Sequence, residues 1–247
     1  MRKLLALVFA ATLTSAAGAC TPIIGPAPVL HRLPGHIMWT QTFVDTSHPT
    51  VPATGPSLPS RTLATAIYRP NGRGPFPVIV FAHGISGHPD KFTKLFSVWA
   101  DAGFVVAAPA FPLTNNRAPN ANANAADVRN QPGDMSFVLS QMLALNRHRG
   151  SLLFGAINPR RIGAGGLSLG GITTYSLVYG ACCRDNRFDA AEVLDGLNGS
   201  NTIDGHVPLF IGHSDSDPLI PYATAQNTFA TATPPVWFLT LHGAPLT

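Results

Sequence analysis

Ile162-Gly163-Ala164-Gly165-Gly166-Leu167-Ser168-Leu169-Gly170-Gly171, running on to Tyr179, is the stretch whose reading decides the fold. Ile162 to Leu167 reads as a glycine-rich buried strand and Leu169 to Tyr179 as a helix. Between them, Gly166-Leu167-Ser168-Leu169-Gly170 has the G-x-S-x-G spacing. When a strand hands over to a helix through a single serine, the turn is very tight. Side chains two before and two after it would collide with the neighbouring strand and helix, and Gly166 and Gly170 remove them. The plainer alternative, Ser168 as an N-cap of a glycine-rich helix, accounts for none of the features that follow.

On either side of this turn, strands and helices alternate. Val78 to Ala82 and Phe104 to Ala108 are continuous apolar runs, the pattern of strands buried on both faces of a parallel sheet. Lys91 to Ala102 lies between them with Phe92, Leu95, Phe96 and Trp99 at helical spacing and Gly103 as the stop. Asn115 to Ala126, rich in Asn and Ala, reads as a surface loop, and Gln131 to Leu145 as a helix. Ala190 to Leu194, Val207 to Ile211 and Val236 to Leu241 read as further strands, with Tyr222 to Ala230 a helix before the last. His36 to Val44 and Thr62 to Tyr68 form an antiparallel edge. The expected architecture is α/β, a mostly parallel central sheet with helices on both faces.

A serine hydroxyl is a poor nucleophile at neutral pH; it needs a base to take its proton and backbone NH groups to hold the oxyanion. The NH of Leu169, at the positive end of its helix, is one candidate donor. The loop His83-Gly84-Ile85-Ser86-Gly87 supplies the other through the NH of Ile85. His83 precedes the serine and sits at a strand end, where a structural hydrogen-bonding role suits it better than that of base. The orienting acid is expected after a strand downstream, where Asp215 and Asp217 both occur. Asp217, just before Pro218 and Pro221, is preferred, and Asp215 helps shape the turn. In chain order the base comes last, and His242 is the histidine that follows Asp217.

The chain has 247 residues, 45% hydrophobic and 11% charged, with 23 Gly and 23 Pro, enough for one large α/β domain with a loop-rich, weakly charged surface. The formal charge is +4, with no Lys/Arg stripe, so nucleic acid is not an expected partner. Arg2-Lys3, the apolar run Leu4 to Leu13 and Ala17-Gly18-Ala19 have the layout of a secretory signal over residues 1–19. Export is therefore expected. Cys20 follows directly, so acylation at Cys20 with attachment to the envelope membrane stands beside ordinary cleavage with a free Cys20. Residues 20–35 read as a Pro-rich tether and 36–247 as the domain. The adjacent Cys182 and Cys183 are expected as two small, half-buried residues, because bridging neighbours strains the peptide between them. No metal or organic cofactor is expected.

Gly74-Pro75-Phe76-Pro77 leading into Val78 to Ala82 and His83-Gly84, then Ala102-Gly103-Phe104-Val105-Val106, the serine turn, and Asp217-Pro218-Leu219-Ile220-Pro221 carry a family resemblance. Over about residues 37 to 247 the chain resembles the exported bacterial α/β-hydrolases related to dienelactone hydrolase, platelet-activating-factor acetylhydrolase and the cutinase-like polyesterases. The resemblance implies the α/β-hydrolase fold, with Ser168 as nucleophile, Asp217 as acid, and Ile85 and Leu169 as oxyanion donors. Leu167 stands where many such proteins carry His. It also implies a base at or just beyond Leu246 and a closing helix after it, which is the pattern of a chain truncated at its C-terminus.

The reading that results is a hydrolase of carboxylic esters, lipidic, small-acyl or polymeric, working through an acyl-enzyme. Its rivals are a disabled or truncated scaffold that binds lipid or polymer at the envelope, and amide cleavage by the same residues.

Overall fold

The computed structural model describes residues 29–118 and 123–244. The signal, Leu4 to Leu13, Cys20 and Leu246 lie outside the described residues, as does part of the Asn115–Ala126 loop. The strands are β1 (His31–Arg32), β2 (His36–Asp45), β3 (Arg61–Pro70), β4 (Phe76–Ala82), β5 (Val105–Ala110), β6 (Ile157–Leu167), β7 (Ala190–Leu194), β8 (Leu209–Ser214) and β9 (Val236–Leu241). The helices are α1 (Thr93–Asp101), α2 (Gln131–Arg147), α3 (Leu169–Tyr179) and α4 (Tyr222–Thr231). Short 3₁₀ turns at Pro89–Phe92 and Ala125–Arg129 precede α1 and α2.

Among the described residues all the strands join one sheet, in the order β1-β2-β3-β5-β4-β6-β7-β8-β9. The pairs β1/β2, β2/β3 and β3/β5 are antiparallel. From β5 through β9 every pair is parallel. β1 takes in His31 and Arg32, which the sequence reading had assigned to the tether; their backbone pairs with Ile37 and Met38.

Alternation along each strand divides the core into two layers. Val78 and Val80 of β4, Ile162 and Ala164 of β6, and Val193 and Ile211 pack with Met135, Val138 and Leu139 of α2 and Tyr175 and Val178 of α3. Ala225 of α4 joins this layer, and Phe229 stacks on Phe238. On the opposite face Phe81, Val106 and Tyr68 meet Phe96 and Ala100 of α1. Here Phe81 packs with Phe92, Phe96 and Trp99 at ring separations of 4.9, 5.2 and 5.7 Å.

Beyond α1 this second face is open. Glu192 of β7 lies in a groove of about 530 Å³ among Ile79, Phe104 and Phe210, and burial pushes its carboxyl up to about 7. Trp237, Leu239 and Leu241 of β9 are exposed on alternate positions.

A buried ion network fastens β3 to α2. Arg61, fully buried, donates to Asp134 at 2.7 and 2.6 Å and to Asp127 at 3.0 and 2.8 Å. Cys182 and Cys183, in the connection from α3 to β7, form a disulfide, which corrects the expectation of two independent small residues. Cys182 is exposed and Cys183 half-buried, so the pair sits at the surface.

Candidate active site

β6 delivers Ser168 to the end of the sheet, and α3 leaves from the next residue. The sharpness of the turn is carried by the backbone of Ser168, at φ 55 and ψ −116, a positive φ that side chains other than glycine rarely take. The spacing of glycines has a direct steric cause. A Cβ at Gly166 would lie 2.2 Å from Gly170 O, and one at Gly170 would lie 2.0 Å from Ala82 O at the end of β4. The Ser168 NH donates to Leu194 O at 2.9 Å, which holds the turn against β7.

The loop after β4 lies against this turn: a Cβ at Gly84 would be 3.2 Å from Ser168 Cβ. Two backbone NH groups flank the serine, those of Leu169, first in its helix, and of Ile85. Among the described residues neither donates to a backbone or side-chain acceptor outside its own helix or strand. Neighbouring amides are engaged: Ser86 donates to Thr114 O at 2.8 Å and Gly87 to Gly84 O at 3.0 Å. Thr114 accepts from Gln131 Nε2 at 2.8 Å, and Gln131 in turn accepts from Thr173 of α3. This fully buried chain of side chains ties the loop to the helix that carries the serine.

His83 is built into the frame. Its Nδ1 donates to Gly84 O at 2.7 Å and its Nε2 accepts from the Phe111 NH at 3.1 Å, so both ring nitrogens are used by the neutral ring. Burial pushes its pKa down to about 4.

Asp217 follows β8 with its carboxylate buried. Oδ1 accepts from the NH groups of Leu219 and Ile220 at 2.7 and 3.0 Å, while Oδ2 has no hydrogen-bond partner among the described residues. His213, also fully buried, places Nε2 3.6 Å from that oxygen and 3.9 Å from Asp195 Oδ1. Ligand atoms of Asp195, His213 and Asp217 lie within 4.8 Å of one another. Nε2 of His213, however, faces Ile220 O at 3.0 Å and so carries the proton, leaving no lone pair there for a cation.

His242 differs from expectation in its partner. Its Nδ1 lies 2.7 Å from Asp215 Oδ2, and the Gly243 NH donates to Asp215 Oδ1 at 2.9 Å. The cause is register: β8 and β9 run parallel with Ser214 opposite Leu241, so the next residues, Asp215 and His242, come abreast. These contacts, the Gly243 NH first and His242 second, hold the Asp215 carboxyl below its ordinary range. Asp215, expected as a turn-former, therefore has the imidazole, and the His242 side chain is 83% exposed.

Ser168 opens into a cavity of about 180 Å³ lined by Gly84, Ile85, Gly87, Lys91, Phe92, Leu167 and Leu219. Lys91 and Leu219 were not singled out in the sequence, because a lysine in a helical turn and a leucine in an acid loop carry no motif of their own.

The family model for chlorophyllase matches residues 33–216, most of the chain and all of the frame from β2 to β8. The chain belongs to the chlorophyllase family. Within that family it is 29% identical to chlorophyllase-1, chloroplastic, of Citrus sinensis over 186 residues, 74% of this chain and 52% of the other. The corresponding chlorophyllase-1 of Citrus unshiu is 28% identical over the same share. This chlorophyllase-family chain thus spans about half the length of the curated relatives it matches. Among solved structures, a ferulic acid esterase from Streptomyces cinnamoneus superposes with a TM-score of 0.60 at 20% identity, covering 81% of this chain and 72% of that one. The fold is the α/β-hydrolase fold, as the sequence resemblance implied. Among the described residues no helix is long and apolar enough to cross a membrane.

Proposed function

We propose that this member of the chlorophyllase family hydrolyses carboxylic esters through an acyl-enzyme on Ser168. The observation that carries the reading is the meeting of a serine held at positive φ with two amides, those of Leu169 and Ile85, that among the described residues donate to no backbone or side-chain acceptor. Ser168 Oγ attacks the ester carbonyl, the amides hold the oxyanion, and the proton passes by way of the base to the departing alcohol. Water then attacks the acyl-enzyme and regenerates the serine. Asp217 is the proposed acid; its buried Oδ2, which among the described residues accepts no hydrogen bond, is an acceptor suited to an imidazole NH. His242 is the proposed base, reaching Ser168 after exchanging Asp215 for the active-site side. Residues 1–19 as an export signal, with or without acylation of Cys20, belong to the same reading.

A second reading is favoured by one specific observation: His242 is exposed, bound to Asp215 and outside the lining of the serine cavity. On that reading the chain is a disabled scaffold that binds an apolar ligand without cleaving it. A fluorophosphonate probe separates the two, alongside Ser168→Ala and His242→Ala and an assay on p-nitrophenyl butyrate. The hydrolase reading requires labelling that both substitutions abolish. An unlabelled wild-type protein with no esterase rate sinks it and leaves the scaffold.

A further inference from the structure

Among the described residues Lys91 is the one charged side chain lining the serine cavity; apart from Ser168 the others are apolar or glycine. It lies in the 3₁₀ turn Pro89–Phe92 and is exposed, and among the described residues its ammonium has no ion-pair or hydrogen-bond partner. The adjacent carboxylate does not neutralise it. Asp90 is held by Arg117 Nη2 at 2.7 Å and by His88 Nδ1 at 3.0 Å. Lys94, one helical turn along and exposed, adds a second positive charge. The Lys91 charge also reaches inward, as one of the lesser influences after burial that keep His83 unprotonated.

The walls are apolar. Phe92 and Leu167 are half-buried, and Ile85 and Leu219 form an exposed lip. A cavity of about 180 Å³ has room for a short acyl chain. An apolar slot with a free ammonium at its rim complements a short hydrocarbon chain that ends in a negative charge.

We propose that Lys91 is a specificity residue that selects esters whose acyl chain ends in a carboxylate, the half-esters of short dicarboxylic acids. This rests on the hydrolase reading and names its substrate class. The ammonium pairs with the far carboxylate while the ester carbonyl lies over Ser168, so charge recognition and acyl transfer occur at opposite ends of one short chain.

The test compares p-nitrophenyl hexanoate with p-nitrophenyl hydrogen adipate, which differ only in a terminal methyl or carboxylate, after subtraction of spontaneous hydrolysis. The quantity read is the ratio of kcat/KM for the adipate to that for the hexanoate, in the wild type and in Lys91→Met, Lys91→Arg and Lys91→Glu. The wild-type ratio should exceed that of Lys91→Met by about two- to fivefold; Lys91→Arg should restore it and Lys91→Glu should push it lower still. High salt should shrink the wild-type ratio toward that of Lys91→Met. A merely structural effect of the substitution lowers both rates together and leaves the ratio where it was, which overturns the proposal. So does a wild-type preference for the adipate that survives Lys91→Met. Failure of the wild type to cleave either ester overturns the hydrolase reading itself, and this proposal falls with it.

Discussion

His242 is bonded to Asp215 at 2.7 Å, whereas Asp217, two residues further along the same loop, keeps a buried oxygen that among the described residues has no hydrogen-bond partner, with His213 Nε2 3.6 Å away. One carboxylate thus holds the available imidazole and the other is shaped to receive one. Substitution separates the two. If Asp217 orients the base, Asp217→Asn lowers kcat by about 10⁴-fold, while Asp215→Asn costs less than about tenfold because it only releases His242. Steady-state kinetics on p-nitrophenyl butyrate check this, and a larger loss in Asp215→Asn would make the surface pair the working one.

Gly170→Ala puts a methyl group 2.0 Å from the backbone oxygen of Ala82, an atom fixed within the sheet. The helix must then move away from β4. We expect a stability loss of about 1–3 kcal/mol by denaturant titration, together with loss of fluorophosphonate labelling. Gly133→Ala, within α2 where nothing lies within 4 Å, is the control: it should keep the labelling and lose no stability, gaining up to about 1 kcal/mol from helix propensity.

Burial raises the Glu192 carboxyl from 4.5 to about 7. Between those values the folded chain holds a proton that the unfolded chain has released, so stability from this group falls as pH rises through that window. Glu192→Gln should flatten the dependence and raise stability at pH 8 by on the order of 2 kcal/mol, read from urea midpoints at several pH values.

Arg61→Met strands the carboxylates of Asp127 and Asp134 in the interior. The expected cost is about 3–5 kcal/mol near neutrality, shrinking as the pH is lowered and the buried Asp134 carboxyl, already raised to about 6, takes up a proton. Thermal melts of the variant at acid and neutral pH measure both parts.

Much of the frame was legible in the sequence because its signals are local. The ends of α3, β7 and β9 follow from runs that leave no alternative period, and Gly166 and Gly170 announced the turn through a steric demand that the structure expresses as clashes with Gly170 O and Ala82 O. Less legible was whatever depends on neighbours distant in sequence. Which aspartate meets His242 is decided by the β8/β9 register, and a parallel pairing leaves no trace in the loop that follows it. β1 is two residues long and exposed, too short for any periodicity, so it read as tether. Lys91 matters only because its turn folds back over the serine cavity, and Arg61 only because two acids more than sixty residues away surround it.

The backbone of Ser168, at φ 55, sets stability against the proposed chemistry at a single position. Any residue with a Cβ is held there at a cost on the order of 1 kcal/mol, and glycine alone is comfortable. Ser168→Gly should therefore fold more firmly than the wild type while losing the proposed nucleophile. Random mutagenesis screened for thermal tolerance alone would be drawn toward that variant, and a library intended to keep the chemistry has to be screened for turnover at the same time.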